Sequence, residues 1–188
     1  MIFKNYFSYK KENLMTVIIF LLIWYVISYL INLIPDNFSK LIFFVFILNL
    51  ILMLLILFVR KFGVVLIFYL IGSLFSIKMP NLEGFQLDIV PSLIIISLVF
   101  ELLFFISYFI IKNRFYSKIF SLSIANATLI ISLGFFVSYG FLIMNLNNLI
   151  NLFFIFFSVN LVGCTLGVFI WHSFRNSKFI LKLEYSNE

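Results

Sequence analysis

The stretch LIFFVFILNLILMLLILFV, residues 41–59, is nineteen residues long and has no charged side chain. An α-helix needs roughly 20 apolar residues to cross a hydrocarbon core about 30 Å thick. The residues here are apolar almost without interruption, whereas a strand of a membrane barrel alternates apolar and polar side chains. The stretch therefore predicts a transmembrane α-helix.

The rest of the chain has the same apolar character. Its 188 residues are 64% hydrophobic and 11% charged, with a mean hydropathy of +1.21. A typical soluble domain is about half apolar and about a quarter charged. The composition predicts an all-α integral membrane bundle of six transmembrane helices in a single membrane domain covering residues 1–188. The six spans are expected at about 14–34, 41–59, 62–77, 91–111, 119–144 and 149–174.

Basic residues alternate between loops in a way that predicts the orientation. Lys and Arg accumulate in the cytoplasmic loops of membrane proteins. Eleven of them precede span one, follow span six, or lie between spans two and three or four and five: Lys4, Lys10, Lys11, Arg60, Lys61, Lys112, Arg114, Lys118, Arg175, Lys178 and Lys182. The opposite loops hold only Lys40 and Lys78. We therefore expect a multi-pass protein of the cell membrane with both termini in the cytoplasm.

The same distribution explains the net charge of +6. The basic residues anchor the topology and contact anionic membrane lipids, so we expect no nucleic-acid partner.

The residues needed for catalysis or metal binding are scarce. The chain has one His and one Cys, which excludes paired imidazoles and a Cys-rich metal site. No HExxH, GxSxG or phosphate-binding loop is present. His172 follows Trp171 where the last span ends, which is typical of an interfacial anchor. The sequence predicts neither an enzyme nor a cofactor.

Glu101 is an acid well inside a span, where burial of a charge is costly. Two roles stay open for it: a contact with substrate, proton or partner, or a hydrogen bond that locks two helices together. Gly163 and Gly167 in span six face a small-residue stripe in span five, which predicts close packing of these two helices.

Asn160 is the polar residue of span six that most suggests a binding site. Its amide lies near mid-membrane and needs partners. A few convergent polar groups in an apolar cavity are typical of a small-molecule site. The candidate substrate-binding residues, in a pocket open to the outside, are Asn160, Asn151, Ser138, Tyr139 and, from span one, Trp24.

Three segments occur in an order that resembles a known family. They are FVRKFGVVLIFYLIGSLFSI at 58–77, PSLIIISLVFELLFF at 91–105 and NLVGCTLGVFIWHSFRNSK at 160–178. On six spans with both ends inside, the chain resembles the substrate-binding S-components of energy-coupling-factor (ECF) transporters. The resemblance implies capture of a vitamin or related micronutrient, and association with a transmembrane coupling subunit and two ATPase subunits. It also implies a site near Asp88–Ser97, Ser138–Asn151 and Asn160.

Span one departs from that family's pattern. Many members carry an Ala-x-x-x-Ala stripe on which the coupling subunit docks, whereas this span offers only Thr16 and Ser28 as small residues. The alternative is a structural or regulatory membrane subunit without a small-molecule site, in which the last two helices form an interaction face.

Overall fold

The computed structural model describes residues 9–31, 33–76, 90–111, 113–137 and 146–174. These residues form six α-helices and no strand: α1 (Lys11–Ile31), α2 (Asn37–Val59), α3 (Val64–Ser76), α4 (Val90–Ile111), α5 (Arg114–Val137) and α6 (Leu146–Phe174). Each predicted span has a helix at its position. The prediction of an all-α chain is confirmed for this part of the protein.

Local signals set the two ends of α2. The Asp36 carboxylate accepts a hydrogen bond from the Ser39 N–H at 2.7 Å, which caps the first turn. At the other end Arg60 has a positive φ of 51°, a left-handed conformation that ends the helix, and its N–H donates to the Ile56 carbonyl. Gly63, with φ of 75°, completes the turn into α3.

The hydrophobic core is built around α2. This helix packs against α1, α3, α5 and α6. Its second half is almost wholly buried, as Leu52, Met53 and Leu55 have no exposed surface. On α1, Trp24 is buried and its ring lies edge-on to Phe44 of α2, with centroids 4.7 Å apart. The length and apolar character of residues 41–59 therefore place this segment inside the bundle, among other helices.

The two glycines of α6 approach α2. A Cβ added to Gly163 would lie 2.7 Å from the carbonyl oxygen of Phe46, and one added to Gly167 would lie 3.1 Å from that of Leu50. Close helix packing at these glycines is thus present. The expected packing of α6 against α5 is present, but the helix that the two glycines approach is α2, because the side of α6 that carries them faces the backbone of α2.

Three of the described helical segments are long and apolar enough to cross a membrane: Lys11–Ile31, Phe38–Val59 and Ile150–Phe174. Val64–Ser73 and Leu93–Ser107 are shorter apolar helices. These lengths, together with exposed side chains such as Val26, Leu102 and Phe169, indicate a membrane protein.

Candidate functional site

Two buried amides from α2 and α6 meet in the core. The Asn49 side-chain amide donates to the Asn160 Oδ1 at 2.6 Å and to the Val45 carbonyl at 2.8 Å. The Asn160 amide in turn donates to the Ser123 carbonyl of α5 at 3.2 Å. Neither asparagine has any exposed surface. Each amide thus uses both its donor and its acceptor inside the protein.

A third amide extends this contact to α5 and α3. The Asn126 amide donates to the Asn49 Oδ1 at 2.6 Å, and the Tyr69 hydroxyl of α3 lies 3.4 Å from the Asn126 Oδ1. The Cys164 thiol of α6 lies 3.8 Å from the same oxygen of Asn49. All of these side chains are buried. We call Asn49, Asn126, Asn160, Tyr69 and Cys164 the amide network.

The amide network joins four helices by hydrogen bonds between uncharged groups. Burying an amide away from water without a hydrogen-bond partner costs on the order of several kcal/mol. Each amide of the network is therefore held in place by its partners. Its amides donate to and accept from one another or the backbone. This arrangement can hold the helices together and fix the orientation of α2, α3, α5 and α6 relative to one another.

A second polar cluster lies at the turn between α2 and α3. The Glu101 carboxylate of α4, which is 7% exposed, accepts the Gly63 N–H at 2.7 Å. Gly63 precedes the first residue of α3, so the Glu101 side chain caps that helix by accepting a hydrogen bond from an N–H group at its start. Of the two roles left open for Glu101, this contact is the helix-to-helix hydrogen bond.

Tyr9 attaches the start of the chain to the same turn. Its hydroxyl donates to the Phe62 carbonyl. Burial raises the pKa of the Tyr9 hydroxyl above its usual value, and the nearby negative charge of Glu101 raises it further. The hydroxyl therefore stays protonated at neutral pH and keeps its role as the donor.

Other helix ends meet at this end of the bundle. The Arg60 guanidinium lies 5.6 Å from the centre of the Trp171 ring, near the end of α6. The Lys118 ammonium of α5 lies 6.0 Å from the centre of the Phe104 ring of α4. The α2–α3 turn and the neighbouring parts of α4, α5 and α6 thus lie on one side of the molecule, with Trp171 among them.

Of the candidate substrate-binding residues, the three that the structure describes, Asn160, Asn151 and Trp24, do not share one site. Asn160 belongs to the amide network, whereas Asn151 is exposed. Nine residues separate them, about two and a half helical turns, so they lie on opposite faces of α6. Trp24 packs against Phe44. Ser138, Tyr139 and Asp88 lie outside the residues that the structure describes.

Asn49 and Asn126 were missed in the sequence. Each is a single amide in an apolar segment, FILNLIL at 46–52 and SIANATL at 123–129. The cost of burying an amide in a membrane, which singled out Asn160, applies equally to them. An abundance of asparagine throughout the chain hid the signal. A comparison of the expected depths of these three asparagines in the membrane would have predicted the network.

The small residues of α1 point inward. Thr16 and Ser28 are buried, and the Thr16 hydroxyl donates to the Glu12 carbonyl of its own helix. The exposed side of α1 instead carries large apolar residues such as Met15, Leu22 and Val26. The exposed surface of α1 therefore also lacks the small-residue docking stripe that many members of the ECF S-component family carry.

Among the residues described by the structure, no group of three or more His, Cys, Asp or Glu side chains is placed to hold a metal ion. In comparisons with known proteins, no family model, no curated protein and no solved structure matches the chain.

Proposed function

We propose that the chain is a six-span subunit of the cell membrane that captures a vitamin or related micronutrient from the outer side. The observation that supports this proposal most is that the two ends of the bundle carry different kinds of side chains. Arg60, Lys118 and Trp171 lie at the end where the α2–α3 turn packs against Glu101. Because basic loops stay in the cytoplasm, this is the inner end.

The opposite end carries a different set of side chains. Asp36 caps α2 there, and Asn151 is exposed on the second turn of α6. The outer connections in the sequence hold Asp88 and the asparagine-rich stretch 145–151. Uncharged polar groups and a few acids beside aromatic residues suit a small polar solute. The proposed site is therefore at the outer end, with Asn151, Ser138, Tyr139 and Asp88 as its candidate ligands.

The amide network has a supporting role in this proposal. Asn160 and Trp24 are buried with partners inside the protein, and they hold the helices that carry the outer residues. A rigid frame below a binding site lowers the cost of ordering that site when the solute binds. The partners are those implied by the ECF resemblance: a coupling subunit in the membrane and two ATPase subunits.

A ligand screen on the purified protein tests the proposal. A solute that binds only the folded protein raises the midpoint of thermal unfolding with concentration. We expect one compound in a panel of vitamins and their precursors to do so. The shift should fall in Asn151→Leu and persist in Leu166→Ala, whose altered side chain is exposed nearer the inner end of the same helix. A panel in which no compound shifts the wild type would count against capture.

One observation favours a second candidate, a structural or regulatory subunit of a membrane complex. The polar group of α6 best placed for a pocket, Asn160, is fully used in helix association. In this case a tagged protein should retain other membrane subunits from its native membrane but bind no compound of the panel. Retention of an ATPase pair together with a bound solute would instead support capture.

A further inference from the structure

Two pairs of basic residues meet at the end of the bundle that holds the α2–α3 turn. One pair directly follows Tyr9 at the start of α1, and the other directly precedes Phe62 in the α2–α3 turn. Tyr9 and Phe62 are 53 positions apart in the chain, and the hydrogen bond from the Tyr9 hydroxyl to the Phe62 carbonyl joins the two segments. The four basic residues, which we call the basic corner, are Lys10, Lys11, Arg60 and Lys61.

Arg60 is held in place at the surface of this corner. Its side chain is exposed, its Nε donates to the Leu57 carbonyl at 3.1 Å, and its guanidinium lies over the Trp171 ring. A guanidinium carries its donors in a rigid fork that matches the oxygens of a phosphate. A Trp ring near a helix end is typical of the headgroup level of a membrane. The Arg60 fork is therefore placed at the depth of lipid phosphates.

The acids near the basic corner do not balance its charge. Glu12 is exposed next to Lys11, whereas Glu101 is buried and accepts the N–H of Gly63. Lys118 of α5 interacts electrostatically with Glu101 as well. The four cations of the basic corner therefore outnumber Glu12, and the corner attracts an anion.

An apolar stripe continues from the basic corner along α1. Starting at Lys11, steps of four, three and four residues lead to three exposed apolar side chains on the same side of the helix: Met15, Ile18 and Leu22. A cation followed by an apolar stripe matches an amphiphile with an anionic head. A soluble phosphate would use the cation alone.

We propose that the basic corner binds the phosphate of an anionic phospholipid, with an acyl chain of that lipid along Met15, Ile18 and Leu22. The long, flexible stems of the lysines let cations from both segments reach one phosphate, and basic pockets beside membrane helices suit such headgroups. General attraction between cytoplasmic charge and lipid needs no particular arrangement, whereas this site needs α1 and the α2–α3 turn to stay joined. The bound lipid fastens the start of α1 to that turn, whatever the outer end of the bundle binds.

Lipid titration of the purified protein in detergent micelles tests the proposal. The dependence of the thermal unfolding midpoint on lipid concentration gives the affinity. Phosphatidylglycerol should raise the midpoint at concentrations at which phosphatidylcholine and inorganic phosphate do not. Lys10→Gln and Lys61→Gln should each weaken phosphatidylglycerol binding about fivefold, the effect of one basic residue near an anionic lipid.

Lys40→Gln is the matched control, because it removes the same charge near the opposite end of α2, and it should leave the affinity unchanged. Equal shifts with phosphatidylcholine, or equal losses in all three lysine variants, would overturn the proposal. A midpoint raised equally by inorganic phosphate would make a soluble anion the ligand and would exclude the lipid.

Tyr9→Phe tests the joined arrangement at constant net charge. It removes the hydroxyl that bonds to the Phe62 carbonyl, so the start of α1 is no longer held beside the turn. Phosphatidylglycerol binding should weaken about as much as on loss of one lysine. Tyr29→Phe, at an exposed tyrosine near the other end of α1, is the control and should bind as the wild type does. Unchanged affinity in Tyr9→Phe would mean that the two basic pairs act separately, and would refute the joined site.

Discussion

Two fully buried asparagines of this chain have opposite surroundings. Asn160 accepts a hydrogen bond from the Asn49 amide and donates one to the backbone of α5. Asn13, in the first turn of α1, is equally buried, but neither polar atom of its side chain has a hydrogen-bond partner. A buried amide stabilises the fold only if its partners are present, and its removal matters chiefly through the partners left behind.

The same substitution should therefore change stability in opposite directions. Asn160→Leu removes one acceptor of the Asn49 amide and the amide that donates to the Ser123 carbonyl, and should lower the free energy of unfolding by about 1–3 kcal/mol. Asn13→Leu removes an unpaired buried amide and should raise it. Chemical unfolding in detergent micelles measures both. Equal losses in the two variants would mean that the hydrogen bonds of Asn160 contribute nothing beyond packing.

Glu101 provides a test of the contact between α4 and the α2–α3 turn. Glu101→Leu leaves the N–H of Gly63 without its acceptor and should destabilise the protein by about 1–3 kcal/mol. Glu101→Gln keeps an oxygen at the same place and should cost clearly less. The difference between the two in the free energy of unfolding isolates the hydrogen bond. Losses of the same size would assign the role of Glu101 to its negative charge.

At the scale of helices, the apolar runs predicted where each element lies because a membrane leaves few options. Every backbone N–H and C=O must be paired within the segment, so a long apolar run becomes a helix. The partner of each helix was harder to predict. A pair of glycines in α6 indicates a close approach, but α2 and α5 both lie beside α6. Only the positions of backbone atoms such as the Phe46 carbonyl identify α2.

The two glycines should respond differently to alanine. At Gly163 the new Cβ would lie 2.7 Å from a backbone oxygen, so α2 and α6 must move apart, and we expect a net loss of about 1–3 kcal/mol in the free energy of unfolding. At Gly167 the nearest atoms, the Leu50 carbonyl oxygen and the Met53 Cβ, are 3.1 Å away, so a smaller shift of the helices is enough. The gain in helix propensity, about 1 kcal/mol, offsets much of that contact. A larger loss at Gly167 than at Gly163 would contradict this packing.

At the scale of the whole molecule, composition and loop charges predicted a multi-pass membrane protein, and three of the described helices are long and apolar enough to cross a membrane. The binding site was less accessible to prediction. Asn160 looked like a pocket residue because the sequence shows the cost of burying its amide but not the partner that offsets it. Asn49 lies 111 positions away in the chain, so no local pattern connects the two.

The proposed orientation makes a prediction for the two turns of the first three helices. Leu33 lies in the α1–α2 turn and Phe62 in the α2–α3 turn, and both are exposed. A membrane-impermeant maleimide should label Leu33→Cys in intact cells and Phe62→Cys only after permeabilisation. The unmodified protein is the control, since its Cys164 is buried. Labelling of Phe62→Cys in intact cells would reverse the topology and place the proposed site on the inner side.

The proposed function requires this bundle to hold a small solute at its outer end. The most direct measurement is mass spectrometry of the small molecules that stay with the protein when it is purified in mild detergent. We expect one compound of the vitamin or micronutrient class at close to one molecule per chain, and less of it in Asn151→Leu. A profile identical to that of an unrelated membrane protein purified from the same cells would contradict the claim.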